Sequence, residues 1–172
     1  MAMTSDAQTM FELIKRRRSI RSYTNQDVSP EHIQVLLEAA MAAPSGNDAR
    51  PWDFVVVRDA ALRKKIAETH TWSSMAASAP VVIVVCGDES SKHWIADTSA
   101  ATENILLQAS AMGLGALWVG IYPTTRYEEH IRSVLGIPAN RRVLCVIPIG
   151  WPAEKKEPRT RYEASKVHYD KF

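Results

Sequence analysis

Cysteine is scarce in this chain: Cys86 and Cys145 are the only two in 172 residues, and each sits inside an apolar run. Two isolated thiols exclude a disulfide framework and read as small core residues. The five histidines, at positions 32, 70, 93, 130 and 168, are scattered, so no short-spaced ligand set exists and no metal site is expected. An excess of one charge is missing as well. The 21 basic and 19 acidic side chains leave a net charge of +2, too little for a general nucleic-acid binder, so no nucleic-acid partner is expected. No run approaches the roughly 18 apolar residues that a membrane span needs, and no membrane partner is expected. The opening Met1 to Gln8 is polar, without the apolar centre of a secretory leader, which points to a cytoplasmic protein with reduced thiols.

Hydrolytic and nucleotide-binding signatures are also missing. The chain has no Gly-x-Ser-x-Gly, no His-Glu-x-x-His, no Walker loop and no Gly-x-Gly-x-x-Gly. Gly113-Leu114-Gly115 follows a helix pattern, which is the wrong context for a dinucleotide fingerprint. No side chain is assigned a catalytic role. An absent acid–base set fits a chain that relies on a redox cofactor.

What is present begins with Arg16-Arg17-Arg18-Ser19-Ile20-Arg21, four arginines and a hydroxyl in six residues. Cations at a helix C-terminus are favourable, by about 0.3–1 kcal/mol each. That accounts for one or two arginines, whereas four beside a serine suit a phosphate held in a fixed pose. The other readings are a solvated helix end and a basic interaction patch.

Composition is ordinary for an α/β or α+β protein, 46% hydrophobic and 23% charged, and the absence of repeats or linkers predicts one domain over residues 1–172. A first helix starts near Asp6 or Thr9, where Thr9 and Glu12 have capping-box spacing. Ser29 as N-cap and Pro30 as first residue open a second helix, with Ile33, Leu36, Leu37, Ala40 and Met41 in one stripe. Phe54 to Val57 reads as a strand, followed by a short helix capped by Asp59. Pro80 introduces Val81 to Cys86, a continuous β-branched run expected at the centre of a sheet. His93 to Met112 forms a long helix apolar on more than one face, stopped by Gly113 and buried in the core or in a subunit interface. Ala116 to Ile121 is a further strand, Thr125 and Glu128 repeat the capping-box spacing before a helix ending at Gly136, and Val143 to Ile149 is the last strand. The tail beyond Gly150 is polar and basic and needs a partner, which could be solvent, a second subunit or an anionic ligand.

Two further stretches carry chemistry. Pro44-Ser45-Gly46-Asn47-Asp48-Ala49-Arg50-Pro51-Trp52 joins helix to strand, with Trp52 as a core plug and small or amide side chains suited to the edge of a flat heteroaromatic ring. Trp118 and Gly120 place an aromatic residue next to a glycine that lets a ligand approach the backbone.

Taken in order, these pieces resemble the nitroreductase family of flavin enzymes: Arg17 to Tyr23, Ala43-Pro44-Ser45-Gly46 leading to Pro51-Trp52-Asp53-Phe54, Asp97 to Gly115, Leu117 to Gly120, and Ile149 to Glu154 with the basic Lys155 to Arg161. The resemblance spans nearly the whole chain. It implies an α+β fold, a mixed, mainly antiparallel sheet wrapped by helices, in a domain-swapped homodimer with FMN sites at the subunit interface. It further implies that Arg17, Arg18, Ser19 and Arg21 hold the FMN phosphate and ribityl chain, with Arg159 or Arg161 reaching the phosphate. Pro44, Ser45, Gly46 and Asn47 would border the ring from the other subunit, Trp118 and Gly120 would flank it, and Arg50 would stabilise its reduced anion. The implied activity is ping-pong transfer of reducing equivalents from NADH or NADPH through FMN to a small acceptor such as a nitroaromatic or quinone. The alternative within the same fold is a protein that stores, senses or consumes FMN, or a reductive dehalogenase-like activity. Two positions depart from the family pattern: Asp48 stands where an Asn is usual, and Arg50 where a Gln is usual. The insertion that covers the site in larger members is small or missing around His70 to Ala79, which implies a more open site.

Overall fold

The computed structural model describes residues 3–172. Helix α1 (Ser5–Arg16) and α2 (Pro30–Met41) precede strand β1 (Trp52–Val57) and α3 (Ala60–Ala67). Strand β2 (Val81–Asp88), α4 (Trp94–Ala111), β3 (Gly115–Ala116), β4 (Val119–Gly120), α5 (Thr125–Leu135) and β5 (Arg141–Gly150) complete the order. The sheet runs β1-β2-β5-β3, with β4 also pairing β5, and every ladder is antiparallel. A single parallel bridge, Ser19 to Ala116, ties the arginine segment to its edge.

Strand β2 is buried along both faces, as its unbroken apolar run requires. Period-2 alternation divides its side chains between two cores. Val81, Ile83 and Val85 pack beneath α2 and α4 with Ile33, Leu36, Ala101 and Ile105. Val82, Val84 and Cys86 pack beneath α3 and α5 with Ile66 and Ile131. A bulge opposite Val85 and Cys86 skips Leu144 in the ladder, and the Leu144 carbonyl accepts the N–H groups of Ile121 and Tyr122 instead. Burial pushes both thiols, Cys86 and Cys145, up to about 12.

Ser29, Pro30 and Asp59 open their helices as their residue types predict, and Gly113 and Gly136 end theirs at positive φ. Met41 is the exception in the α2 stripe, being 54% exposed. Two predicted caps are displaced. Helix α1 is capped by Thr4, whose hydroxyl accepts from the Ala7 N–H at 3.3 Å, while Glu12 is drawn to Gln8 and Lys15. Helix α5 starts from Thr124 without a side-chain cap, and the Glu128 carboxylate is used elsewhere. It is buried and holds Arg142 through two bonds of 2.8 and 2.7 Å, with the Val143 N–H at 3.3 Å. Arg142 also packs 5.0 Å from the Tyr122 ring. This pair fastens α5 to β5. The predicted strand over 116–121 is split into β3 and β4 at Leu117-Trp118.

Candidate functional site

The arginine segment leaves α1 extended, with Arg17 at φ −58°, ψ 116°. It can lie on the sheet edge because residue 115 is glycine: a Cβ there would come within 2.6 Å of the Ile20 side chain. The segment is clamped before any of the arginine side chains is needed. The Glu154 carboxylate accepts the N–H groups of Arg21 at 2.5 Å and Ser22 at 3.3 Å, and pairs with Lys156 at 3.1 Å. Those contacts, the Arg21 N–H foremost, hold the Glu154 carboxyl below the usual carboxylate range. Lys156 donates to the Ser19 carbonyl at 2.6 Å.

Arg17, Arg159 and Arg161 converge from opposite ends of the chain on one pocket of about 340 Å³, joined by Lys15. The acid there is Glu103, 3.3 Å from Arg17, and burial raises its carboxyl above the usual range despite that partner. Among the described residues the guanidinium groups of Arg159 and Arg161 have no hydrogen-bond or ion-pair partner. Loss of solvent, then the charges of Arg161, Arg18 and Arg17, hold the Arg159 pKa below its ordinary value. A cluster of this kind is short of negative charge, and a phosphate fits it.

Arg21, Trp118 and Gly120 line a second pocket of about 270 Å³. A Cβ built on Gly120 would meet nothing within 4 Å, so the backbone is bare to whatever enters. His70 and Trp72 complete this wall from a short 3-10 segment (Thr71–Ala77), and Trp72 is 73% exposed.

The loop after α2 lies elsewhere. Gly46 and Asn47 line a third pocket of about 400 Å³ with Lys92 and His93. Asn47, Asp48 and Arg50 all have positive φ, a concentration of left-handed backbone that ordinary loops avoid. Buried Asp97 of α4 accepts the Gly46 N–H at 3.1 Å, and the Ser45 hydroxyl accepts that of Arg50 at 3.0 Å. Arg50 and Asp48, the two departures from the family pattern, pair with each other at 3.1 Å. Pro44 is exposed beside them.

One chain therefore does not gather all the predicted residues. Arg18 donates to the Glu157 carbonyl and lines a different pocket with Arg16, while its charge also bears on Arg159. Arg50 is half of an exposed ion pair with Asp48. Residue patterns gave no sign of Lys15 or Glu103. Asp97 had a usable signal, being a lone acid among the Ala, Thr and Leu of a buried helix face.

The Nitroreductase family model matches residues 14–72 and 68–151. A protein of Methanothermobacter thermautotrophicus, provisionally named NADH dehydrogenase/NAD(P)H nitroreductase, is 42% identical over 95% of this chain and 87% of its own length. A crystal structure of a Bacteroides thetaiotaomicron protein with the same provisional name superposes with a TM-score of 0.93 at 42% identity, covering 95% of this chain and 98% of that one. A solved FMN-dependent nitroreductase of Clostridium difficile gives 0.90 at 32% identity over 94% of this chain and 99% of that one. With the sheet order, the paired ends of the chain and these matches agreeing, the chain belongs to the nitroreductase family.

Proposed function

We propose that this protein is an FMN-dependent oxidoreductase that takes reducing equivalents from NADH or NADPH and delivers them to a small acceptor such as a nitroaromatic or quinone. The observation that carries this reading is the convergence of Arg17 with Arg159 and Arg161 on one pocket short of counter-charge. When bound, FMN supplies the two-electron chemistry of a ping-pong exchange. The chain's own residues bind and orient it. Arg17, Arg159 and Arg161 hold the phosphate, with Ser19 and Arg21 along the ribityl chain. Trp118 and the bare backbone of Gly120 flank one side of the ring. Pro44, Ser45, Gly46 and Asn47 border the other from a second copy, where the Arg50 guanidinium faces the edge on which negative charge develops.

Two features support the homodimer. Helix α1 has no buried residue, and Met10, Phe11 and Ile14 are 55%, 43% and 49% exposed, an apolar face that a second chain would cover. The tail from Glu157 onward is exposed throughout, with Tyr162 and Tyr169 at 73% and 83%, as a segment exchanged between subunits would be when seen in one chain. A second copy would also bring the 44–47 loop to the Trp118–Gly120 wall, which one chain alone does not do. In this reading residues 1–172 act as one domain.

The test is an anaerobic visible spectrum of the purified protein, before and after NADH and then NADPH. Flavin bands that bleach with either nucleotide are expected. Bands that persist would favour a protein that binds or consumes FMN, and no flavin even after added FMN would overturn the reading.

A further inference from the structure

The segment 17–21 is extended, with the Ser19 to Ala116 bridge and the Ile20 N–H donating to the Ala116 carbonyl at 3.1 Å. Extended backbone sends alternate side chains to opposite sides. Arg17 and Arg21 therefore line the two pockets given above to the flavin. Arg18 and Ile20 take the other side and, with Arg16 at the end of α1, line a separate pocket of about 480 Å³. Its floor is apolar, made by Ile20, Leu106, Leu114 and Ala116, each under 9% exposed. Its rim is basic, made by Arg16, Arg18, Lys155 and Lys156.

The rim has more positive charge than the protein answers. Among the described residues Arg16 and Lys155 have no side-chain hydrogen bond or ion pair. Arg18 uses one terminal nitrogen on the Glu157 carbonyl, while its Nε is buried without a partner, which normally marks a missing acceptor. The one acid lining the pocket, Glu154, is already engaged by Lys156 and by the N–H groups of Arg21 and Ser22.

We propose that this pocket is a second anion site, separate from the one given to FMN, which takes a phosphate of a nucleotide on Arg16, Arg18 and Lys155 and rests the base on the apolar floor. An apolar body next to a phosphate matches an apolar floor next to two free cations. The nucleotide has two possible sources, the 2′-phosphorylated adenosine end of NADPH and an ordinary 5′-nucleotide. The pocket stands on its own residues and does not depend on the flavin reading.

The experiment is isothermal titration of the protein with its flavin bound, using 2′,5′-ADP, 5′-AMP and inorganic phosphate as probes, for the wild type and the Arg16→Gln/Lys155→Gln double variant. A nucleotide is expected to bind the wild type and to bind the variant about tenfold or more weakly, since two charge-assisted contacts are lost. The flavin absorbance per chain is expected to be the same in both, because neither residue lies in the flavin pocket. Preference for 2′,5′-ADP over 5′-AMP would support the co-substrate as source, and equal binding would support a 5′-nucleotide. No binding at millimolar probe, equal binding by wild type and variant, or phosphate binding as tightly as the nucleotides would each overturn the proposal. Loss of flavin from the wild type would count against the flavin reading alone, since the titration can be repeated on the colourless protein.

Discussion

Arg142 and Arg159 are the same side chain put to opposite uses. Arg142 meets a buried carboxylate through two hydrogen bonds, a second acid at 3.2 Å and an aromatic face, and those bonds, Glu128 foremost, raise its pKa. Arg159 loses solvent and meets other arginines, and both lower its pKa. The first environment is closed: every charge is answered inside the chain, so the arginine is structural. The second is open and becomes neutral only when something anionic arrives. Counting arginines in a sequence does not separate the two cases; the supply of partners does.

Breaking the closed pair has the largest expected effect. Glu128→Ala leaves Arg142 against a buried vacancy and removes the acceptor of the Val143 N–H, so a loss of about 3–5 kcal/mol in unfolding free energy is expected. Denaturant unfolding of the variant measures it. A loss under about 1 kcal/mol would place Arg142 among the surface arginines. The open cluster should behave in the reverse way. An Arg159→Gln/Arg161→Gln variant should unfold like the wild type yet hold FMN about tenfold or more weakly, read by flavin released on dialysis. A variant that keeps its flavin would remove both residues from the phosphate site.

The Asp48–Arg50 pair lies between these extremes, answered but exposed. Its contribution to stability should stay within about 1 kcal/mol by double-mutant cycle. Arg50→Gln should lower the potential of bound flavin by on the order of 30 mV, the two-electron equivalent of a tenfold preference for the oxidised form. Restoring both amide residues, in Asp48→Asn/Arg50→Gln, should recover most of that shift, and an unchanged potential in all variants would remove the pair from the ring edge. The smallest effect belongs to Glu154, whose carboxyl is held low by the Arg21 N–H. A carboxyl depressed in the folded state stabilises above its unfolded pKa and loses that contribution as pH falls through the folded value. Wild-type stability should therefore decline below about pH 4.5, and a Glu154→Gln variant should show a shallower decline over the same range.

Much of the fold could be read locally. Ser29-Pro30 opens α2, and Gly113 and Gly136 close their helices at positive φ, because the requirement is carried by the residue itself. The unbroken run from Val81 likewise announces a strand covered on both sides. The misread features share a different cause. Thr9 with Glu12 and Thr125 with Glu128 have the spacing of caps, but other partners claimed the Glu side chains: Lys15 of the same helix for one, Arg142 of β5 for the other. The split at Leu117-Trp118 interrupts a ladder to β5 whose register is the same on both sides, and no property of residues 116–121 reveals it. For the site, residue type identified the arginines, while the side on which each lies was decided by a bridge to Ala116.

That bridge fixes a reading frame. Within residues 17–21, even and odd positions address different clients, so the segment is constrained in phase as well as in composition. Substituting one arginine weakens a single contact. Inserting one residue between Arg18 and Ser19, with the Ser19 bridge kept, would instead turn Arg18 toward the side that Arg17 serves and Arg17 toward the other. Drift in this part of the chain is therefore expected to proceed by exchange of residues and not by change of length.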